Sequence, residues 1–192
     1  PWLIEGRAPA EVIRENIQLT TDAMKVRLGI SPAGFRTPGG FPNGLSDRPD
    51  VRQMLLHMGF TWVSALYPLR IWGVAGRQPG PSALHNIILA QQHAQPFRYN
   101  DGLMEVPMSP ISDIDTFRNM RWKRDWFVGA VRAATRWAIE NHAVFDYLSH
   151  PGCLYSMDPH FEAIDAICEE VRNAADRAEI VNLDTIARRS LA

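Results

Sequence analysis

The chain has 192 residues, of which 46% are hydrophobic and 21% charged, a composition typical of one globular domain and not of a disordered chain. Its 20 basic residues are balanced by 21 acidic ones without a long basic block, which argues against nucleic acid as a partner. No apolar run is long enough to span a membrane and the first residues do not resemble a secretion signal, so the cytoplasm is favoured. The compartment stays open because the chain begins with proline instead of methionine.

Hydrophobic periodicity predicts helices and strands in alternation. Ile13 and Ile17 recur at helical spacing, and Gly29 stops the first helix. Helices are predicted at residues 9–28, 48–58, 82–94, 125–142 and 159–178, and strands at residues 33–36, 60–65, 103–106, 144–148 and 180–183. Five strands separated by four helical segments favour a parallel α/β fold. The first helix has no strand before it, so an upstream segment is expected to be missing.

Two polar residues follow predicted strands. Arg36 ends the strand at residues 33–36 and enters a Pro-Gly-Gly loop. His150 comes just after the strand at residues 144–148 and precedes Pro151. The carboxyl ends of parallel strands are where α/β folds assemble their sites, so the two side chains form a site if those strands converge. The alternatives are a solvated arginine and a loop histidine that caps its own turn.

Taken together, the two stretches resemble a family. Arg-Thr-Pro-Gly-Gly at residues 36–40 and Leu-Ser-His at residues 148–150 are similar to the third and fifth motifs of the polysaccharide deacetylases of carbohydrate esterase family 4, related to chitooligosaccharide deacetylases. The resemblance implies a deformed (β/α) barrel and a divalent metal such as zinc, held by one aspartate and two histidines, with a second aspartate as catalytic base. Those motifs precede the Arg-x-Pro segment, yet residues 1–35 contain neither an Asp-Asp pair nor a histidine. By the resemblance, residues 1–192 are one domain truncated at its amino-terminal side, without the metal ligands.

The resemblance implies roles for five residues. Arg36 orients the catalytic base, and the N–H of Gly39 holds the oxyanion. Pro38 belongs to the same substrate-binding turn, and Leu148 lines the acetyl pocket. His150 gives a proton to the departing amine, since imidazole changes charge near neutral pH. The complete enzyme is expected to be a metal-dependent hydrolase that removes N-acetyl groups from a polysaccharide or oligosaccharide, and this chain alone is expected to be inactive.

Several alternatives stay open. The chain fits a catalytically inactive glycan-binding or scaffolding relative, a family member that acts on a small cyclic amide, or an unrelated α/β barrel with a fortuitous motif pair. Gly39 stands where the family often has an aromatic residue, and residues 122–126 match the fourth motif, Asp-x-x-Asp-Trp, without its first aspartate. Trp62 and Trp72 are candidates for stacking on a sugar. Trp62 is predicted to be buried in the core instead, and Trp72 is compatible with both roles.

The remaining metal-ligating residue types are interpreted as structural. Cys153 and Cys168 have neither zinc-site nor redox-pair spacing and are predicted to be reduced, partly buried thiols. A metal at His150, Asp158 and His160 is disfavoured, because the Asp-Pro pair at residues 158–159 is typical of a helix start.

Overall fold

The structure is a computed structural model that describes residues 8–68 and 73–190. Within this part of the chain, contacts group the residues into two compact units. The first unit contains residues 8–66, 96–107 and 182–190, and the second contains residues 67–68, 73–95 and 108–181. Neither unit is one continuous segment, because the chain passes between them four times. The prediction of a single domain stays a prediction.

The secondary structure is mixed α/β, which confirms the fold class at this level. The described residues form seven α-helices: α1 (Ala10–Leu28), α2 (Pro49–His57), α3 (Pro81–Leu89), α4 (Arg124–Glu140), α5 (Pro151–Met157), α6 (Glu162–Ala174) and α7 (Leu183–Arg189). Short 3-10 turns occupy Ala90–His93 and Ala175–Arg177, and a π-helical turn occupies Ile114–Asn119. None of the helices in these two ranges is long and apolar enough to cross a membrane.

A four-stranded sheet forms the centre of the first unit. Its strands are β1 (Gly34–Phe41), β2 (Trp62–Leu66), β3 (Phe97–Arg98) and β4 (Met104–Glu105), in the order β1-β2-β4-β3. β1 and β4 both pair with β2 in parallel, while β3 pairs with β4 antiparallel. The sheet is therefore mixed, whereas the alternation of elements predicted a parallel one.

α1 packs on the first unit as its sequence predicts. Ile13 and Ile17 are buried, and the helix ends at Gly29, whose φ of 68° lies in the left-handed region that glycine favours. The core of this unit consists of these two isoleucines with apolar side chains from α2, the sheet and the loops: Leu45, Val51, Met54, Leu55, Phe60, Val63, Ala65, Tyr99 and Leu103.

The second unit is helical and centred on α4, which packs against α6. Phe127 and Ala130 of α4 are fully buried, and Phe127 meets Phe117 edge to face with ring centroids 4.9 Å apart. Arg132 and Arg136 of α4 both bond the buried Glu170 carboxylate of α6, at 2.8 Å. These ion pairs add to the packing of α4 on α6.

Three sequence predictions about elements are wrong. Residues 144–148 form no strand, and only a single backbone bridge joins Leu148 to Ser112. Residues 180–183 form no strand either, because the Asn182 side chain accepts the N–H of Thr185 at 2.9 Å and starts α7 there. Thr37 and the residues after it were expected to form a loop, but β1 continues to Phe41.

Candidate functional site

Arg36 lies inside β1, whereas the sequence predicted that it ends the strand. It stands opposite Ser64 of β2, and its side chain is half-buried. Its guanidinium is within electrostatic range of the carboxyl group of Glu105 on β4. The acidic group that the structure brings to Arg36 is therefore a residue of this chain for which the sequence predicted no role.

The turn after Arg36 is a bulge within β1. β1 takes five residue steps from position 36 to position 41, while β2 takes two from position 64 to position 66. The hydroxyl of Thr37, which is buried, donates to the carbonyl of Gly39. Gly39 has a φ of 97°, where a side chain would be strained, and both Pro38 and Gly39 are exposed. The bulge thus presents the Pro-Gly pair at the surface of the first unit.

Glu105 is fully buried and its carboxylate accepts three hydrogen bonds. Its Oε1 accepts the backbone N–H groups of Ala65 and Leu66, at 2.8 Å each, and its Oε2 accepts the Tyr99 hydroxyl at 2.7 Å. The Tyr99 oxygen in turn accepts the N–H of Leu45 at 2.9 Å. This chain of bonds joins β2, β4 and the loop after β1.

Proton affinities in this network are set by burial. Burial raises the pKa of Glu105, against the opposing effects of its backbone hydrogen bonds, Tyr99 and the Arg36 charge. Burial and then the Glu105 charge raise the pKa of Tyr99. Because Glu105 and Tyr99 are both buried, the network is suited to holding the first unit together and not to exchanging protons with a substrate.

His150 forms a close pair with Asp113 in the second unit. It is the residue that precedes α5, and its Nδ1 lies 2.8 Å from Oδ1 of Asp113. The backbone N–H of His150 donates to the other oxygen, Oδ2. The Asp113 side chain is 0% exposed, whereas that of His150 is 47% exposed. Since a carboxylate only accepts hydrogen bonds, Nδ1 carries the proton and Nε2 is left to accept or donate one.

Two chain segments that run side by side bring this pair together. The N–H of Ser109 donates to the carbonyl of Asp146 at 3.1 Å, and Ser112 forms its parallel bridge with Leu148. Each segment then continues to one member of the pair. Leu148 is half-buried, and it positions His150 through this backbone bridge.

The side chains near the pair are poor nucleophiles. Burial and the Asp113 charge raise the pKa of the Cys153 thiol, so it stays protonated at neutral pH. Burial, followed by the charges of Asp113 and Asp158, raises the pKa of Tyr147. Cys153 and Cys168 are both free and partly buried, which confirms the sequence prediction for these thiols.

The described residues do not suit a bound metal ion. In residues 8–68 and 73–190, no group of three or more His, Cys, Asp or Glu side chains is placed to hold one. The two carboxylate oxygens of Asp158 accept the N–H groups of Glu162 and Ala163, at 2.9 and 3.0 Å, and so cap α6. His160 is exposed. The metal ligands implied by the family resemblance find no counterpart in this part of the chain.

The sequence-predicted site residues fall in both units. Arg36, Pro38 and Gly39 belong to the first unit, and Leu148 and His150 belong to the second. The predicted burial of Trp62 is confirmed, with its indole N–H bonded to Asp184, whereas Trp72 lies outside the described residues. No family model matches the chain, nor does any curated protein or solved structure.

Sequence reasoning assigned no role to two of the buried acids, Glu105 and Asp113. Glu105 stands within the apolar run at residues 103–106, where an acid is conspicuous, and Asp113 follows the apolar stretch that ends at Ile111. The family's fourth-motif aspartate was expected close to Trp126, and Asp113 precedes that residue by 13 positions. An acid at the end of an apolar stretch was the signal that could have identified Asp113 as a partner for His150.

Proposed function

We propose that the protein is a metal-dependent hydrolase that removes N-acetyl groups from a polysaccharide or oligosaccharide. The observation that supports this function best is the pairing of His150 with Asp113. A half-exposed imidazole held by a fully buried carboxylate is the arrangement that general acid–base catalysis uses. The motif resemblance at residues 36–40 and 148–150 supplies the substrate class.

In the proposed reaction, the amide C–N bond of the acetamide breaks, water supplies a hydroxyl group to the acetyl carbon, and the remaining proton of that water passes to the catalytic carboxylate that the family resemblance implies. The imidazolium of His150 gives the Nε2 proton to the departing nitrogen, which leaves as an amine, and the acetyl group leaves as acetate. Asp113 positions the ring through Nδ1 and stabilises its positive charge. These residues account for the proton transfer only, since the described residues do not form a metal site.

Other parts of the proposal concern the first unit. Gly39, exposed and in left-handed backbone geometry, is proposed to supply its N–H to the oxyanion. Arg36 is proposed, by the family resemblance, to orient a catalytic carboxylate other than the buried Glu105. The parallel pairing of β1, β2 and β4 supports a deformed (β/α) barrel as the proposed fold.

The second candidate function is glycan binding without catalysis. It is favoured by the finding that no three or more His, Cys, Asp or Glu side chains of the described residues are placed together to hold a metal ion. A relative that acts on a small cyclic amide is a variant of the first proposal, with the same proton transfer by His150 to a ring nitrogen.

Acetate release tests the first proposal. Protein expressed from its complete coding sequence is incubated with zinc and the N-acetylglucosamine tetramer. We expect acetate release, and we expect His150→Ala to lower it by about 100-fold or more, the usual contribution of a general acid. His160→Ala, which removes an exposed histidine from the same unit, serves as the matched control and should retain activity.

Three outcomes would contradict this proposal. Binding of the tetramer without acetate release would favour the glycan-binding function. Equal loss in the His150 and His160 variants would show that His150 is not the general acid. Ring opening of a cyclic amide such as hydantoin, without acetate release, would replace the substrate and keep the role of His150.

A further inference from the structure

Next to the His150–Asp113 pair, the second unit exposes a group of positive side chains that the proton transfer does not use. Arg118 lies in the π-helical turn, Arg121 and Lys123 come from the segment between that turn and α4, and Arg77 comes from the loop before α3. All four are exposed. We call Arg77, Arg118, Arg121 and Lys123 the basic rim.

Specific contacts hold the two segments of the basic rim together. The N–H of Gly76 donates to the carbonyl of Met120 at 2.7 Å, and the indole N–H of the buried Trp122 donates to the carbonyl of Arg77 at 2.9 Å. Arg77 and Arg121 thus extend from neighbouring pieces of backbone. Arg121 has a φ of 54°, which is uncommon for a residue other than glycine.

Arg118 is the member of the basic rim that lies near the His150–Asp113 pair. Asp113 is the residue immediately before the π-helical turn that carries Arg118, and this turn packs against α5, which begins next to His150. Arg118 is also within electrostatic range of the Cys153 thiol on α5. The positive charge of Arg118 is therefore close to where His150 would meet a substrate.

The charges of the basic rim are not neutralised within the described residues. None of its four side chains forms an ion pair there. The neighbouring Asp115 accepts hydrogen bonds from the hydroxyl of Tyr67 and the amide of Asn119, both at 2.6 Å. Asp125 is exposed and lies 3.8 Å from the neighbouring Arg124. Four positive charges thus share this surface with two carboxylates.

We propose that the basic rim binds carboxylate groups of the substrate, so that the substrate is an acidic N-acetylated glycan and not a neutral one. This inference rests on the proposed function. Guanidinium groups pair with carboxylates in a bidentate manner, and a second charged sugar beside the reacting acetamide would hold the chain in register. Nucleic acid fits less well, because the formal net charge of the protein is -1 and four basic side chains make a small electrostatic footprint.

Calorimetry with two oligosaccharides of equal length tests this inference. The probes are a hyaluronan tetrasaccharide, in which N-acetylglucosamine alternates with glucuronate, and the neutral N-acetylglucosamine tetramer. We expect the acidic probe to bind about tenfold more tightly at low salt, with the preference shrinking at high salt because exposed charges are screened. Arg118→Gln/Arg121→Gln should abolish the preference and leave the affinity for the neutral probe unchanged. Arg172→Gln/Arg177→Gln removes two exposed arginines elsewhere in the same unit and should keep the preference.

The outcomes separate this inference from the proposed function. Equal affinity for the two probes, together with His150-dependent acetate release, would overturn the inference that the basic rim binds carboxylates and would leave the proposed hydrolase activity intact. A salt-sensitive preference for the acidic probe without acetate release would overturn the proposed hydrolase activity and keep the basic rim as the carboxylate-binding surface of a glycan-binding protein. Tighter binding of a single-stranded oligonucleotide than of either sugar would assign the surface to nucleic acid and overturn the inference.

Discussion

Both units bury a carboxylate beside a titratable partner, and they differ in what that partner can reach. Glu105 bonds two backbone N–H groups and the hydroxyl of the buried Tyr99. Asp113 bonds the backbone and the ring of His150, whose side chain is 47% exposed. The first network is closed to solvent, and the second leads from the protein interior to its surface.

This difference separates structural from chemical use of the same functional group. A buried acid surrounded by buried donors stabilises the strands that carry them, and it has no route for a proton. A buried acid that holds an exposed imidazole fixes the ring's tautomer and orientation, and leaves Nε2 free to act. The comparison predicts that variants around Glu105 change stability, while variants around Asp113 change chemistry.

The largest expected effect is that of Glu105→Ala on stability. The substitution leaves the N–H groups of Ala65 and Leu66 and the Tyr99 hydroxyl without their acceptor. We expect the free energy of unfolding to fall by about 4 kcal/mol, since unsatisfied buried donors are costly. Urea denaturation measures this loss, with the exposed Glu15→Ala as a control that should change little. A loss below about 1 kcal/mol would show that the network is not structural.

A smaller loss in the free energy of unfolding is expected when a side chain is added next to the Glu105–Tyr99 network. Gly44 has a φ of 55°, and a Cβ there would lie 2.5 Å from the Tyr99 hydroxyl oxygen. Gly29 has a φ of 68°, but a Cβ there meets no atom within 4 Å. Gly29→Ala should therefore cost only the backbone strain, about 1 kcal/mol, and Gly44→Ala about 3 kcal/mol by the same denaturation measurement. Equal costs would mean that Tyr99 moves aside freely and that the network tolerates change.

In the second unit, Asp113→Asn should affect chemistry more than stability. An asparagine can donate to Nδ1 of His150, so the ring is expected to leave the tautomer that carries its proton on Nδ1. We expect acetate release to fall by about 100-fold, and the nitrogen NMR shifts of the ring to report the changed tautomer. Asp115→Asn, which alters the acid bonded to Tyr67 and Asn119, is the control and should leave the ring signals unchanged. An unaltered tautomer in Asp113→Asn would remove the positioning role from Asp113.

Local pattern predicted the helices well and the strands less well. The helix at residues 9–28 was predictable because Ile13 and Ile17 mark its buried face and Gly29 its end. The strand predicted at residues 144–148 was wrong, because an apolar run does not reveal whether a partner strand exists. The bulge that carries Gly39 depends on pairing with β2, which is a tertiary property.

The site was predictable in part, for a similar reason. His150 stood out because a histidine before a proline ends an apolar segment. Its partner, Asp113, is 37 residues away and is brought to it by the pairing of residues 109–112 with residues 146–148. Residue spacing could not indicate that pairing, so the acid that gives His150 its orientation became visible only in the folded chain.

The smallest expected effects are those of pH, and they should have opposite signs in the two units. Burial raises the pKa of Glu105, so its contribution to stability is complete below the ordinary glutamate pKa and is lost as pH rises through the folded value. Hydrogen bonds from Arg136 and then Arg132 lower the pKa of Glu170, so its contribution is present at neutral pH and is lost as pH falls through the folded value. Urea denaturation from about pH 3 to about pH 7 measures both slopes. Glu105→Gln should flatten the decline in the free energy of unfolding above pH 4.5. Glu170→Gln should flatten the rise in the free energy of unfolding below pH 4.5, and it should lower that free energy by about 1 kcal/mol at neutral pH. Changes of the same sign in both variants would contradict the distinction between a carboxyl group whose pKa is raised by burial and one whose pKa is lowered by arginine hydrogen bonds.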